Sequence, residues 1–113
     1  MTFFPIKSKS TIKKIFEIGL NVKGDYFTIK YIHKNNEKIS IGIIVPKKII
    51  PFAVKRNLIR RRIRFFLRDH SMFIKEKLPN GYYLIIYSVP KVLNYKEMKK
   101  SILSLLRSSF HNT

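Results

Sequence analysis

Between Lys55 and Arg68 the chain reads KRNLIRRRIRFFLR, with seven arginines and lysines and no acid. Like charges at this density repel one another, so the stretch favours a polyanionic partner. Guanidinium forks match phosphate oxygens in bidentate geometry better than an ammonium does. The chemistry open to these residues is phosphate binding rather than bond cleavage.

Cleavage by the protein itself would need other groups. A two-metal nuclease site needs carboxylates converging on ions about 4 Å apart. The six acids, Glu17, Asp25, Glu37, Asp69, Glu76 and Glu97, are scattered without motif spacing and read as solvated surface charges. A histidine-based ribonuclease needs a paired acid and base, whereas His33, His70 and His111 fall at a strand end, near a helix end and at the C-terminus. With no cysteine there is no disulfide framework, thiol nucleophile or cysteine zinc site. No catalytic residue, metal site or cofactor is expected on the protein alone.

The 113 residues suit one domain, 1–113, with 1–9 as a flexible N-terminal segment. A 45% hydrophobic content is too apolar for a disordered basic tail. The net charge of +18, from 24 Lys and Arg against six Asp and Glu, calls for nucleic acid or an acidic membrane. MTFFPIKSKS lacks the apolar run of a signal peptide. No segment approaches the roughly 20 apolar residues that span a bilayer. A soluble, cytoplasmic protein with no membrane partner is the expectation.

The elements that must position the basic stretch follow from periodicity. Ser10 or Thr11 can cap a helix through about Ile18, ended by Gly19, with Ile12, Ile15 and Phe16 on one face. A half-buried strand lies within 22–33, where Phe27, Ile29 and Tyr31 alternate with more polar neighbours, and Asn35–Asn36 marks a turn. Residues 39–45 (ISIGIIV) form a second strand, and a loop from Pro46 to Pro51 leads into a helix from about Phe52 or Ala53 to about Ile74. After a turn at Pro79–Gly81, residues 82–89 (YYLIIYSV) form a third strand. Asn94, three residues before Glu97, caps a last helix that buries Met98, Ile102, Leu105 and Leu106. The order gives an α+β fold with a small sheet and three helices.

On the central helix, at about 100° per residue, Arg56, Arg60, Arg64, Asn57, Arg68 and Arg61 occupy an arc of about 140°. Ile59, Ile63, Phe66 and Leu67 occupy the neighbouring sector. The apolar sector can be buried while the arginines face outward. Ordinary solvated helices mix signs to gain i,i+4 pairs, and this one forgoes them. A membrane surface fits less well, because the apolar face is needed for the core and no Trp anchor is present.

This stretch resembles the signature of the bacterial ribonuclease P protein family: a strand, a Lys-Lys loop, then a helix beginning A-V-x-R-N-R-x-[KR]-R-x-x-R. The matching residues are IGIIVPKK (41–48), Ala53-Val54-Lys55-Arg56-Asn57, Arg60-Arg61, Arg64 and Arg68. Residues 15–31 are similar to the family's first helix, glycine stop and first strand, and residues 81–106 to its last strand and C-terminal helix. Leu58 stands where the family has the third residue of Arg-Asn-Arg, and Arg62 stands one turn later in place of leucine. Phe65 replaces the usual acid or Gln, and the loop 49–52 (IIPF) lacks the usual Gly and is one residue longer.

The resemblance implies an α/β sandwich with a small mixed sheet and a left-handed βαβ crossover exposing the Arg helix. It implies a non-catalytic protein subunit, with hydrolysis performed by ribonuclease P RNA and its Mg2+ ions. The partners would be that RNA and precursor tRNA, in a complex of one protein and one RNA. Lys47, Lys48, Lys55, Arg56, Asn57, Arg60, Arg61, Arg62, Arg64 and Arg68 would bind the RNA subunit. Arg62 would supply the guanidinium missing at Leu58; otherwise its stem would cover Phe65 and Phe66. Ile12, Phe16, Tyr26, Thr28 and Lys30 would line a cleft for the single-stranded 5′ leader, where an apolar face beside cations suits unstacked bases. The alternative is a ribosomal or other structural RNA-binding protein with no linked reaction. A DNA-binding repressor would need a helix-turn-helix pair and a dimer seam, neither of which the sequence offers.

Overall fold

Phe27, Ile29 and Tyr31 do alternate with Thr28, Lys30 and Ile32, and the segment Phe27–His33 is a strand in the body of the sheet. In this computed structural model, residues 3–6, 8–34 and 38–110 are described. The expected Asn35–Asn36 turn, Glu37 and His111 lie outside the described residues. The strands are β1 (Phe4–Pro5), β2 (Leu20–Lys23), β3 (Phe27–His33), β4 (Ile39–Ile44) and β5 (Gly81–Tyr87). They form one mixed sheet in the order β1-β4-β5-β3-β2. The helices are α1 (Lys9–Ile18), α2 (Ala53–Asp69), α3 (Ser71–Lys77) and α4 (Tyr95–Ser109).

One face of the sheet carries the main core. Phe27, Ile29, Ile41, Tyr83, Ile85 and Tyr87 meet Ile59, Ile63 and Phe66 of α2, Ile74 of α3, and Met98, Ile102, Leu105 and Leu106 of α4. The stripe expected on the last helix is the one buried. Side chains alternate across a strand, so Leu84 projects to the opposite face, where α1 packs and buries Ile15. β4 and β5 are adjacent and parallel, with Gly42 opposite Leu84, and α2 and α3 make the connection between them. That crossover displays α2 on one side of the sheet.

The described residues form four helices rather than three. The helix expected to run to Ile74 breaks at His70, whose backbone (φ −111°, ψ 25°) leaves the helical region. The amide of His70 still donates to Phe66, and its carbonyl still accepts from Ile74. The kink redirects α3 so that Ile74 and Leu78 join the core. The single strand expected over 22–33 is a hairpin, with Leu20–Lys23 antiparallel to Thr28–Tyr31. At the N-terminus, within the segment expected to be flexible, Phe4–Pro5 pairs in parallel with Ser40–Ile41. Gly42 makes room for this segment, since a side chain there would approach Ile6 and crowd Leu84.

The caps are local. Ser8, rather than Ser10 or Thr11, starts α1 by accepting from the Thr11 amide at 3.4 Å. Asn94 caps α4 by accepting from the Glu97 amide at 2.8 Å. Gly81 ends the 79–81 turn at φ 158°, where any side chain would collide with the Ile32 carbonyl.

Candidate nucleic-acid interface

α2 begins after a turn that its own arginine closes. The amides of Ile49 and Ile50 donate to the Pro46 carbonyl at 3.0 and 2.9 Å, and Ile50 is buried. Arg56 then donates from Nη1 to the carbonyls of Ile50 and Pro51 at 2.9 and 2.7 Å. The half-buried Arg56 therefore fixes the path of the 49–52 loop into the helix. Lys47 and Lys48 stand exposed on that turn.

Along the rest of α2 the burial follows the expected phase: Ile59, Ile63 and Phe66 are buried, while Lys55, Asn57, Arg61, Arg64 and Arg68 are exposed. Arg60 is half-buried and donates to Oδ1 of Asn57 at 2.9 Å. Lys55 lies 5.3 Å from the Phe52 ring and Arg68 6.0 Å from the Phe65 ring. Among the described residues none of these cations pairs with an acid; ion pairing occurs elsewhere, as between Lys13 and Glu17. Cations held along one helix without counter-charges create a strong positive field.

Arg62 sits apart from this ridge. It is half-buried, and its Nη1 donates to the carbonyl of Leu93, at 2.6 Å, in the loop before α4. One of its donors is thus engaged within the protein. Phe65, left exposed beside it, meets the Tyr95 ring edge-on at 5.4 Å.

On the opposite face, α1 and β3 frame a trough. Phe16 is 46% exposed, so it is not a core residue. The ammonium of Lys30 lies 5.6 Å from its ring and 3.4 Å from Oδ1 of Asn21. Thr28 continues the same strand face, with its hydroxyl 3.4 Å from that of Ser88. Ile12 is half-buried one turn before Phe16. The structure thus brings together Ile12, Phe16, Lys30 and Thr28. Tyr26 stands just before β3 and packs against the main core, with the Lys91 ammonium 5.7 Å from its ring. Asn21 and Ser88 join the surface of Lys30 and Thr28 without having been expected. Asn21 is placed by its register with Lys30, which needs the β2–β3 hairpin to be recognised.

Among the described residues no three His, Asp or Glu side chains group closely enough to hold a metal ion. No described helix is long and apolar enough to cross a membrane.

A helix whose outward side carries arginines and lysines without acidic partners, with Phe16 beside Lys30 on the other face, suits a domain that binds a polyanion. The ribonuclease P family model matches residues 4–109. The ribonuclease P protein component of Streptococcus agalactiae serotype III (strain NEM316) is 30% identical over 104 residues, covering 92% of each chain. The Staphylococcus aureus RNase P protein superposes with a TM-score of 0.80 at 23% identity, over 96% of this chain and 98% of that one. The Thermotoga maritima RNase P protein gives 0.78 at 17% identity, over 92% and 96%. The chain belongs to the ribonuclease P protein family.

Proposed function

We propose that this chain acts in the cytoplasm as a monomeric protein subunit, one per RNA, of a ribonuclease P whose RNA subunit performs the hydrolysis. Its work is binding. The α2 ridge, with Lys47 and Lys48 at its head, engages phosphates of the RNA subunit. The trough beside α1 takes the single-stranded 5′ leader of precursor tRNA, which positions the substrate for removal of the leader. The Mg2+ ions belong to the RNA. The observation that carries this reading is the row of exposed cations on α2 without acidic partners, standing back to back with a buried apolar face. Neutralising phosphates in this way lowers the repulsion between two RNAs and the magnesium they need.

The test is reconstitution. Purified protein added to a bacterial ribonuclease P RNA should accelerate removal of the leader at low magnesium, and the protein alone should leave precursor tRNA intact. Cleavage by RNA-free protein would overturn the division of labour. Absence of any acceleration would favour a structural RNA-binding role with no linked reaction.

A further inference from the structure

At the β1–β4 edge of the sheet, between the N-terminal strand and the last turns of α2, lies a groove of about 490 Å3. Phe3, Ile41, Ile43 and Leu67 are among its apolar lining, and Arg64 and Arg68, both exposed, also border it. The leader trough involves β2 and β3, at the other edge of the sheet. The groove is a separate site.

The lining selects the ligand. A cavity of this size walled by aliphatic side chains and one aromatic ring accommodates a flat heteroaromatic base, which can lie against the Phe3 ring. Two guanidinium groups without acidic partners at its border call for an anion, and they present forks that suit phosphate. A nucleotide joins both chemistries in one molecule. A lipid tail or an apolar peptide would leave the arginines unanswered, and a free inorganic anion would leave the apolar walls wet.

We propose that this groove receives one unpaired nucleotide of the RNA lying along α2, with its base against Phe3, Ile43 and Leu67 and its phosphate on Arg64 and Arg68. The proposal rests on the RNA-binding reading above. An RNA strand on the ridge would then be held in register by a single inserted base. Charge alone would let it slide.

The test uses the full chain and methyl-resolved NMR. Titration with 5′-AMP should shift the Ile41, Ile43 and Leu67 methyl signals saturably, while inorganic phosphate or adenosine alone should shift them little. Phe3→Ala, which changes a side chain near the chain terminus, and Arg64→Ala with Arg68→Ala should each weaken AMP binding about tenfold. The methyl signals of Ile12, which stands beside Phe16 on α1, should remain unaffected by these substitutions. Groove methyls that ignore AMP, or that respond equally to phosphate, would overturn the proposal. So would a Phe3-dependent self-association in sedimentation, which would make a second copy the occupant. Loss of acceleration in the reconstituted reaction by an α2 variant that keeps AMP binding would instead bear on the wider reading, so the two failures are distinguishable.

Discussion

Arg62 on α2 and Leu93, 31 residues later, are joined by a hydrogen bond of 2.6 Å from Nη1 to the backbone carbonyl. The amide of the same buried Leu93 donates to the Tyr87 hydroxyl at 3.0 Å, and that hydroxyl donates to the Lys91 carbonyl. Side chains from α2 and β5 thus satisfy both polar groups of one backbone unit. Arg62→Ala should therefore lower stability by about 1–3 kcal/mol, since it leaves a carbonyl without its charged donor. The salt dependence of RNA binding should stay as it was. Thermal unfolding and a salt titration on the same variant check this, and a shallower salt slope would show that Arg62 also touches RNA.

Arg60 and Arg64, further along the outward side of α2, should behave oppositely. Each replacement by Ala should reduce the slope of log K against log salt by about one unit for every phosphate that is no longer neutralised. Thermal stability should change little. A slope identical to that of the parent protein would remove that arginine from the interface.

Phe16→Ala should leave the fold intact, because nearly half of the residue is exposed and Ile15 supplies the burial on α1. It should weaken precursor tRNA with a long leader by roughly 1–3 kcal/mol, the worth of one base stacked on an aromatic ring. Mature tRNA should bind as before. Equal weakening of both ligands in a binding assay would remove Phe16 from the leader trough.

Burial raises the pKa of the Tyr83 hydroxyl, and nearby Tyr31 pushes in the same direction. Such a group contributes stability that is complete below its unfolded pKa of about 10 and is lost as pH rises toward the folded value. The same direction holds for Tyr87, again through burial. Stability should decline above about pH 10, and Tyr83→Phe should flatten part of that decline. It should also cost stability at neutral pH, since the hydroxyl donates to the Pro79 carbonyl. Denaturant melts across pH 8–11 would show both effects.

The parts of the fold that were legible are those written in short-range pattern. The phase of Ile59, Ile63 and Phe66 fixed which side of α2 is buried, and Asn94 with Glu97 marked the start of α4. His70 was not legible as a break, because no Gly or Pro marks it and the helical hydrogen bonds on either side persist. The Leu20–Lys23 strand has only one half-buried residue, Val22, so its alternation is faint. Phe4–Pro5 is too short to carry any period and exists through its pairing with β4. In the candidate interface the ridge was visible and a structural alternative for Arg62 was open, but the carbonyl hydrogen bonds of Arg56 and Arg62 were not foreseen. Both donate to carbonyls of loops whose path the sequence does not encode locally.

That no acid among the described residues pairs with the α2 cations has a consequence for the free protein. Mutual repulsion along α2 works against the folded state, and a bound polyanion removes that opposition. By mass action, anything that binds the native chain and not the unfolded one raises its stability. On the proposed RNA-binding role, part of what keeps this chain folded would reside in the RNA. Copies made in excess of RNA would melt at lower temperature and meet proteases more often, so RNA supply would set how much protein persists.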